Sequence, residues 1–193
     1  MQPPARFPIP DLDTLPTDIR EQILAIQEKL GFVPNIFLTL SPRPAEFRAF
    51  FAYHVALMEK ESGLSKAERE MIVVTTSALN RCQYCVVAHG AVLRIRSGNP
   101  RLADQLAIDY RNAEINARQK AMLEVALKVA GPDSAGIEDT DLDQLRAVGF
   151  GEEDIWDIGA IAAFFAMSNR LVGFTGMQAN PEFYNMGRTP RSS

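Results

Sequence analysis

Between Ile158 and Met167 every residue is apolar or glycine. A helix that is hydrophobic on all sides has to be surrounded by other elements, so this stretch predicts a central helix. The segments available to surround it are themselves helical in period. Ile19, Ile23, Ile26 and Leu30 recur at helical spacing before Gly31. A second helix is expected to open at Ser41-Pro42, with Phe47, Phe50, Phe51, His54, Leu57 and Met58 on one stripe, and to close near Gly63. Ser65 with Glu68 reads as a capping box that starts a third helix running to about Leu79. The β-branched run from Ile72 to Thr76 is compatible with a strand, but the cap and the segment length favour a buried helix. Asn80 with Gln83 reads as another box, opening a helix that continues past His89 to Gly98, where Asn99-Pro100 breaks it. Residues 100–110, 116–130, 141–148 and 152–171 are helical in period, punctuated by Gly131-Pro132 and Gly149. No convincing strand remains, and the expected class is all-α.

The helical domain is expected over residues 17–180. Pro3, Pro4, Pro8, Pro10 and Pro16 make residues 1–16 an extended arm of the kind that often lies on a neighbouring subunit. Residues 181–193 form a polar, mobile tail. Trp156 and the Phe164-Phe165 pair are expected in the core, and the acidic group Asp139, Asp141 and Asp143 as a solvated helix start.

A chain of 193 residues with 47% apolar content suits one domain with a sizeable core. Its 20 basic and 24 acidic residues are interspersed, with no basic run that could follow a phosphate backbone, so nucleic acid is not an expected partner. The N-terminus lacks a charged segment followed by an apolar one, and no uninterrupted apolar stretch reaches membrane-spanning length, so the expectation is a soluble, cytoplasmic protein without a membrane partner.

Only two cysteines are present, Cys82 and Cys85, and only two histidines, His54 and His89. Two cysteines separated by two residues do not make the disulfide framework of a secreted domain; in a reducing compartment such a pair is chemical or metal-binding. On a helix, Cys82, Cys85 and His89 share one face, since residues three and four apart are neighbours. Unpaired N–H groups at a helix start favour a thiolate, and a nearby imidazole accepts its proton. Once one sulfur becomes a sulfenic acid, a thiol one turn away condenses with it and stops over-oxidation. A bare CxxC is a weak signal; Glu70 strengthens it, as a carboxylate on a largely apolar helix that needs a partner and is expected to point toward the pair. Zinc is the competing chemistry, with His54 as fourth ligand, but consecutive turns of one helix fit a closed tetrahedron poorly. No metal or cofactor is expected. His54 itself, on a stripe of phenylalanines, reads as a core histidine or a pocket residue.

The pattern Glu70, Cys82-Gln83-Tyr84-Cys85, His89, within the wider text Ser77-Ala78-Leu79-Asn80-Arg81 and Val86-Val87-Ala88-His89-Gly90, and followed by Asp154-Ile155-Trp156-Asp157-Ile158 and Met167-Ser168-Asn169-Arg170, resembles the AhpD-like (alkylhydroperoxidase D / carboxymuconolactone decarboxylase) superfamily, in particular its peroxidase-related subgroup. The resemblance covers about Phe7 to Arg188 and implies an all-α bundle and a homo-oligomer, a dimer or a hexamer. It also implies a thiol-dependent peroxidase that reduces hydroperoxides and is regenerated by a dithiol or protein reductant. Carried over, it makes Cys85 peroxidatic, Cys82 resolving, His89 the base beside Cys85 and Glu70 a relay carboxylate. In alkylhydroperoxidase D a histidine precedes the second cysteine; here Tyr84 stands there, a poor base near neutral pH. General thiol-disulfide exchange is an alternative activity. So is a carboxymuconolactone decarboxylase-like or non-catalytic role, against which the CxxC argues.

Overall fold

The computed structural model describes residues 4–132 and 134–189. Nine α-helices follow one another among these residues, with short 3-10 turns and no strand. The helices are α1 (Thr17–Leu30), α2 (Asn35–Leu40), α3 (Pro44–Met58), α4 (Lys66–Leu79), α5 (Gln83–Ser97), α6 (Leu102–Asp109), α7 (Ala117–Ala130), α8 (Asp139–Ala147) and α9 (Glu152–Thr175).

The capping chemistry read from the sequence starts α4: the Glu68 N–H donates to Ser65 Oγ at 3.2 Å and the Ser65 N–H to Glu68 Oε2 at 2.9 Å. A second box, Asn116 with Gln119, starts α7. Gly31 ends α1 at φ 81° and Gly98 ends α5 at φ 67°, left-handed positions where a side chain is strained and glycine is not.

Helix α4 lies at the centre, packed against α5, α6, α7 and α9. Met71, Ile72, Val73 and Val74 are fully buried on it, each contributing about 1.5–3 kcal/mol of transfer free energy. The β-branched run is therefore a buried helix, as its cap indicated. Arg69 is also fully buried, donating to Leu57 O at 2.5 Å, to Ser62 Oγ at 2.6 Å and to Asp157 Oδ2 at 2.9 Å. Asp157 also pairs with Lys60 at 3.0 Å. These bonds fix the start of α9 against the turn between α3 and α4. Ile158, Ile161, Ala162, Phe164 and Phe165 are buried, so the central segment of α9 is core. By length and composition α9 could cross a bilayer, but more than half of its most apolar window is buried within this fold.

Several expectations are corrected. The second helix is two: α2 occupies residues 35–40, Ser41 caps its end, and α3 begins at Pro44. The described part of the arm is not a free extension. The Arg6 N–H donates to Thr175 O at 2.8 Å, the Gln178 N–H donates to Pro4 O at 2.9 Å, and a 3-10 turn interrupts the arm at Leu12–Thr14. It lies along the end of α9 of its own chain; Pro3 lies outside the described residues. The tail is anchored as well: Pro181–Tyr184 form a 3-10 turn, Phe183 is buried, and Arg94 donates to Phe183 O and Met186 O at 2.9 and 2.8 Å. Residues 190–193 lie outside the described residues. Trp156 is not core but 70% exposed. Asp141 is buried, accepting from the Glu138 N–H and from Lys128, so only part of the acidic group is solvated.

Candidate active site

Between α4 and α5 the chain turns in three residues. Asn80 ends α4 and its amide donates to Asn169 Oδ1 at 3.0 Å. Arg81 takes a left-handed φ of 55°, and Cys82 becomes the N-cap of α5. The expected Asn80–Gln83 box is thus absent. The Cys82 sulfur itself caps the helix, accepting from the Cys85 N–H at 3.3 Å, and Gln83 turns outward to Tyr184 Oη at 3.0 Å. This register places Cys82 at the unpaired N–H groups and Cys85 one turn in. Their Cα atoms are 5.4 Å apart and the two sulfurs form a disulfide, a separation that suits reversible closure.

Cys82 is 5% and Cys85 3% exposed, so simple accessibility does not separate them. They face different spaces. Cys85 lines a cavity of about 310 Å³ bordered by α1, α2, α3, α5 and α9, with Phe37, Phe51, Phe165, His54 and His89 on its wall. Cys82 lines a shallower depression of about 240 Å³ on the other side of the turn, with Ala78, Arg81, Gln83 and Ala107.

His89 is oriented by Glu70. Its Nδ1 is 2.8 Å from Glu70 Oε2. An ionised carboxylate only accepts, so Nδ1 carries the hydrogen and Nε2 is left free to take a proton. The other oxygen of Glu70 is 3.3 Å from Arg96 Nη1. Arg96 also holds Glu59 at 2.6 Å, so the buried carboxylate has a partner on each oxygen. On the far side the His89 ring meets Phe165 edge to face, centroids 4.8 Å apart. The sequence directs Glu70 toward the cysteine pair; in the structure its carboxylate meets His89 of α5, while His89 and Cys85 line one cavity and Cys82 another.

Two other residues are placed by the structure. Tyr84 is buried, and its hydroxyl accepts from the Ile36 N–H at 3.2 Å. Burial pushes the phenol well above its ordinary range, despite that bond. It holds α2 against α5 and offers no base. His54 lies across the cavity from α5, its ring centroid 6.2 Å from that of His89 and 6.0 Å from Phe165. Desolvation pushes its pKa down to about 4, and the neighbouring His89 acts in the same direction.

Sequence reasoning did not single out Arg96, although it lies seven residues after His89, two turns along the same helix face. The wall residues Phe37 and Phe183 carried no signal beyond their apolarity.

Residues 44–101 match the model of the carboxymuconolactone decarboxylase family. Among solved structures, the AhpD core of an uncharacterized peroxidase-related protein from Ralstonia eutropha is 57% identical, with 99% of this chain and 100% of that chain covered and a TM-score of 0.96. An uncharacterized peroxidase-related protein from Silicibacter sp. is 42% identical over 97% of each chain, TM-score 0.91. The debrominase Bmp8, in complex with 2,3,4-tribromopyrrole, shares the fold at 19% identity and a TM-score of 0.76 over 92% of each chain. No curated protein matches the chain.

Proposed function

The chain belongs to the AhpD-like superfamily, and from that premise we propose that it is a thiol-dependent peroxidase in which Cys85 attacks an organic hydroperoxide and Cys82 resolves the product. The observation that carries this reading is the half-open, aromatic-lined cavity with Cys85 and the Glu70-held His89 on its wall. A bulky protein disulfide meets a sulfur 3% exposed at the back of this cavity poorly, whereas a small apolar molecule fits it. This favours a hydroperoxide over general thiol-disulfide exchange as the substrate of Cys85.

The cycle starts when an external dithiol reduces the Cys82–Cys85 disulfide. His89 Nε2 takes the proton of Cys85, and the resulting imidazolium is stabilised by Glu70. The thiolate attacks the terminal oxygen of ROOH; the S–O bond forms as the O–O bond breaks, and the departing alkoxide takes the proton held on His89 to give ROH. Cys85 is left as a sulfenic acid. The Cys82 thiol attacks the Cys85 sulfur, the hydroxyl leaves as water with the Cys82 proton, and the disulfide is restored. The two sulfurs, the His89 imidazole, the hydroperoxide and the external dithiol account for every bond and proton in the cycle. Cys82, on the outer depression, is the sulfur that the reductant attacks.

We place this chemistry in the reducing cytoplasm. The protomer is proposed to form a homo-oligomer through the stripe of α9 that carries Trp156, Ala163, Met167 and Phe174, of which Trp156 and Phe174 are 70% and 65% exposed. Apolar surface on this scale marks an association site.

The deciding experiment follows consumption of hydrogen peroxide and of cumene and tert-butyl hydroperoxides by the pre-reduced protein, with a dithiol present. We expect turnover with the organic peroxides and closure of the disulfide. No consumption of any of them, with both thiols remaining free, sinks the reading.

A further inference from the structure

We propose that His54 takes part in the reaction by donating a hydrogen bond from its ring to the alkoxide oxygen that departs when Cys85 attacks a hydroperoxide held in the cavity. This rests on the peroxidase reading above and assigns within it the group that receives the leaving oxygen.

The site has two imidazoles on one cavity, and they are held differently. His89 is bound to a carboxylate and backed by Arg96 through it. Among the described residues no group hydrogen-bonds the His54 ring, which sits between aromatic neighbours, 6.2 Å from Phe164 and 6.0 Å from Phe165 by centroid. The ring is only part-buried and neither of its nitrogens is a buried, unpartnered atom, so a molecule in the cavity can reach them. What the ring faces is the cavity, the same space that Cys85 and His89 line.

Its charge state follows from the surroundings. Burial holds the imidazole down to about 4 and His89 adds to this, while Glu70 and Glu59 pull the other way and Arg96 opposes them. His54 is therefore neutral throughout the range in which a thiol peroxidase works, and its N–H is a donor that never leaves as a proton. The division of labour is then clear in atoms. His89 takes the proton from Cys85. The thiolate forms its S–O bond and the O–O bond breaks. The oxygen carrying R gains charge as it leaves, accepts the hydrogen bond from His54, and is quenched by the proton from His89. His54 begins and ends the step neutral. A donor aimed at an oxygen that becomes negative only in the transition state lowers the barrier without tightening ground-state binding. Tyr84 lines the same cavity, where its hydroxyl accepts from the Ile36 N–H.

The test compares His54→Leu and His54→Gln with the parent in two reactions of the reduced protein: single-turnover oxidation by cumene hydroperoxide, and alkylation of Cys85 by iodoacetamide followed by mass spectrometry. Alkylation needs the same thiolate but expels a halide and develops no oxyanion. We expect His54→Leu to slow oxidation by about 100- to 1000-fold, the range for losing one oxyanion donor. Alkylation should stay within about twofold, and His54→Gln, which keeps an N–H, should recover most of the oxidation rate. Equal slowing of both reactions, an oxidation rate in His54→Leu within twofold of the parent's, or no recovery in His54→Gln each overturn the proposal. Circular dichroism checks that both variants are folded. A parent that alkylates normally yet ignores every hydroperoxide is a separate result: it removes the peroxidase reading, and this assignment with it.

Discussion

Replacing Glu70 by glutamine tests whether the buried carboxylate drives proton transfer from Cys85 or merely fills space. The side chain stays the same size, so the perturbation is electronic. In the parent, Glu70 Oε2 accepts from His89 Nδ1 at 2.8 Å while Oε1 faces Arg96 at 3.3 Å. A glutamine cannot satisfy both. If its oxygen turns to His89, its NH₂ faces the guanidinium; if its NH₂ turns to His89, Nδ1 must accept, the ring hydrogen moves to Nε2, and the free base disappears. In the better orientation a charge-assisted hydrogen bond becomes a neutral one, a loss of about 1–2 kcal/mol. Since each 1.4 kcal/mol is a factor of ten, the population of reactive thiolate should fall by about 5- to 30-fold. The fold should survive, because Arg96 keeps Glu59 at 2.6 Å. The assay measures iodoacetamide alkylation and hydroperoxide oxidation of Cys85 at pH 7, with thermal unfolding in parallel. Both rates should fall together, unlike the split expected at His54. If both stay within twofold of the parent's while the protein remains folded, Glu70 is structural and the relay is wrong.

Cys82→Ser should still react once with peroxide and accumulate a sulfenic acid at Cys85, trapped by a dimedone-type probe and located by mass spectrometry, whereas Cys85→Ser should not be labelled at a comparable rate; the opposite pattern reverses the assignment. Asp157→Ala leaves the buried Arg69 guanidinium without its carboxylate, which should destabilise the fold by about 3–5 kcal/mol and lower the melting temperature by about 10 °C or more; a shift under 2 °C would show that Leu57 O and Ser62 suffice. His54 binds a proton in the unfolded chain below about pH 6.5 but is held down to about 4 when folded, so between these values the unfolded state takes up more protons and stability falls as pH drops, by up to about 3 kcal/mol. Chemical denaturation at pH 7 and pH 4.5 should show a smaller loss in His54→Leu than in the parent. Light scattering at micromolar concentration should give a multiple of 21.4 kDa, and Trp156→Glu should shift it toward the protomer; a parent of 21.4 kDa removes the proposed α9 contact.

The helices that bury one face and carry a cap were legible. Ser65 and Glu68 marked the start of α4, and Gly31 and Gly98 the ends of α1 and α5, because each signal is local and satisfies an orphan backbone group. The misreadings fall where a distant partner decides. The text Asn80-Arg81-Cys82-Gln83 contains a capping box by composition, but Asn80 is claimed by Asn169 from α9, and with that amide removed the nearest side chain able to accept from the first turn of α5 is the Cys82 sulfur. Phe183 and Met186 read as part of a mobile tail because the guanidinium that donates to their carbonyls, Arg94, lies some ninety residues earlier. Trp156 read as core because aromatic residues in an apolar helix usually are, but its side of α9 faces outward.

The shift in register also changes the chemical argument. With a helix starting at Asn80, Cys82 and Cys85 would occupy successive positions inside it, and the competition between them would rest on distance from its end against distance from His89. In the structure Cys82 is the cap itself, accepting an N–H, so the helix end stabilises a Cys82 thiolate more directly than spacing alone implied. That is the behaviour wanted of a resolving thiolate, which must persist until Cys85 is oxidised. Cys85 lines the cavity with Phe37, Phe51, Phe165, His54 and His89, and Cys82 does not, so in the proposed cycle the order of attack follows from which sulfur the substrate can touch, and thiol acidity sets how fast.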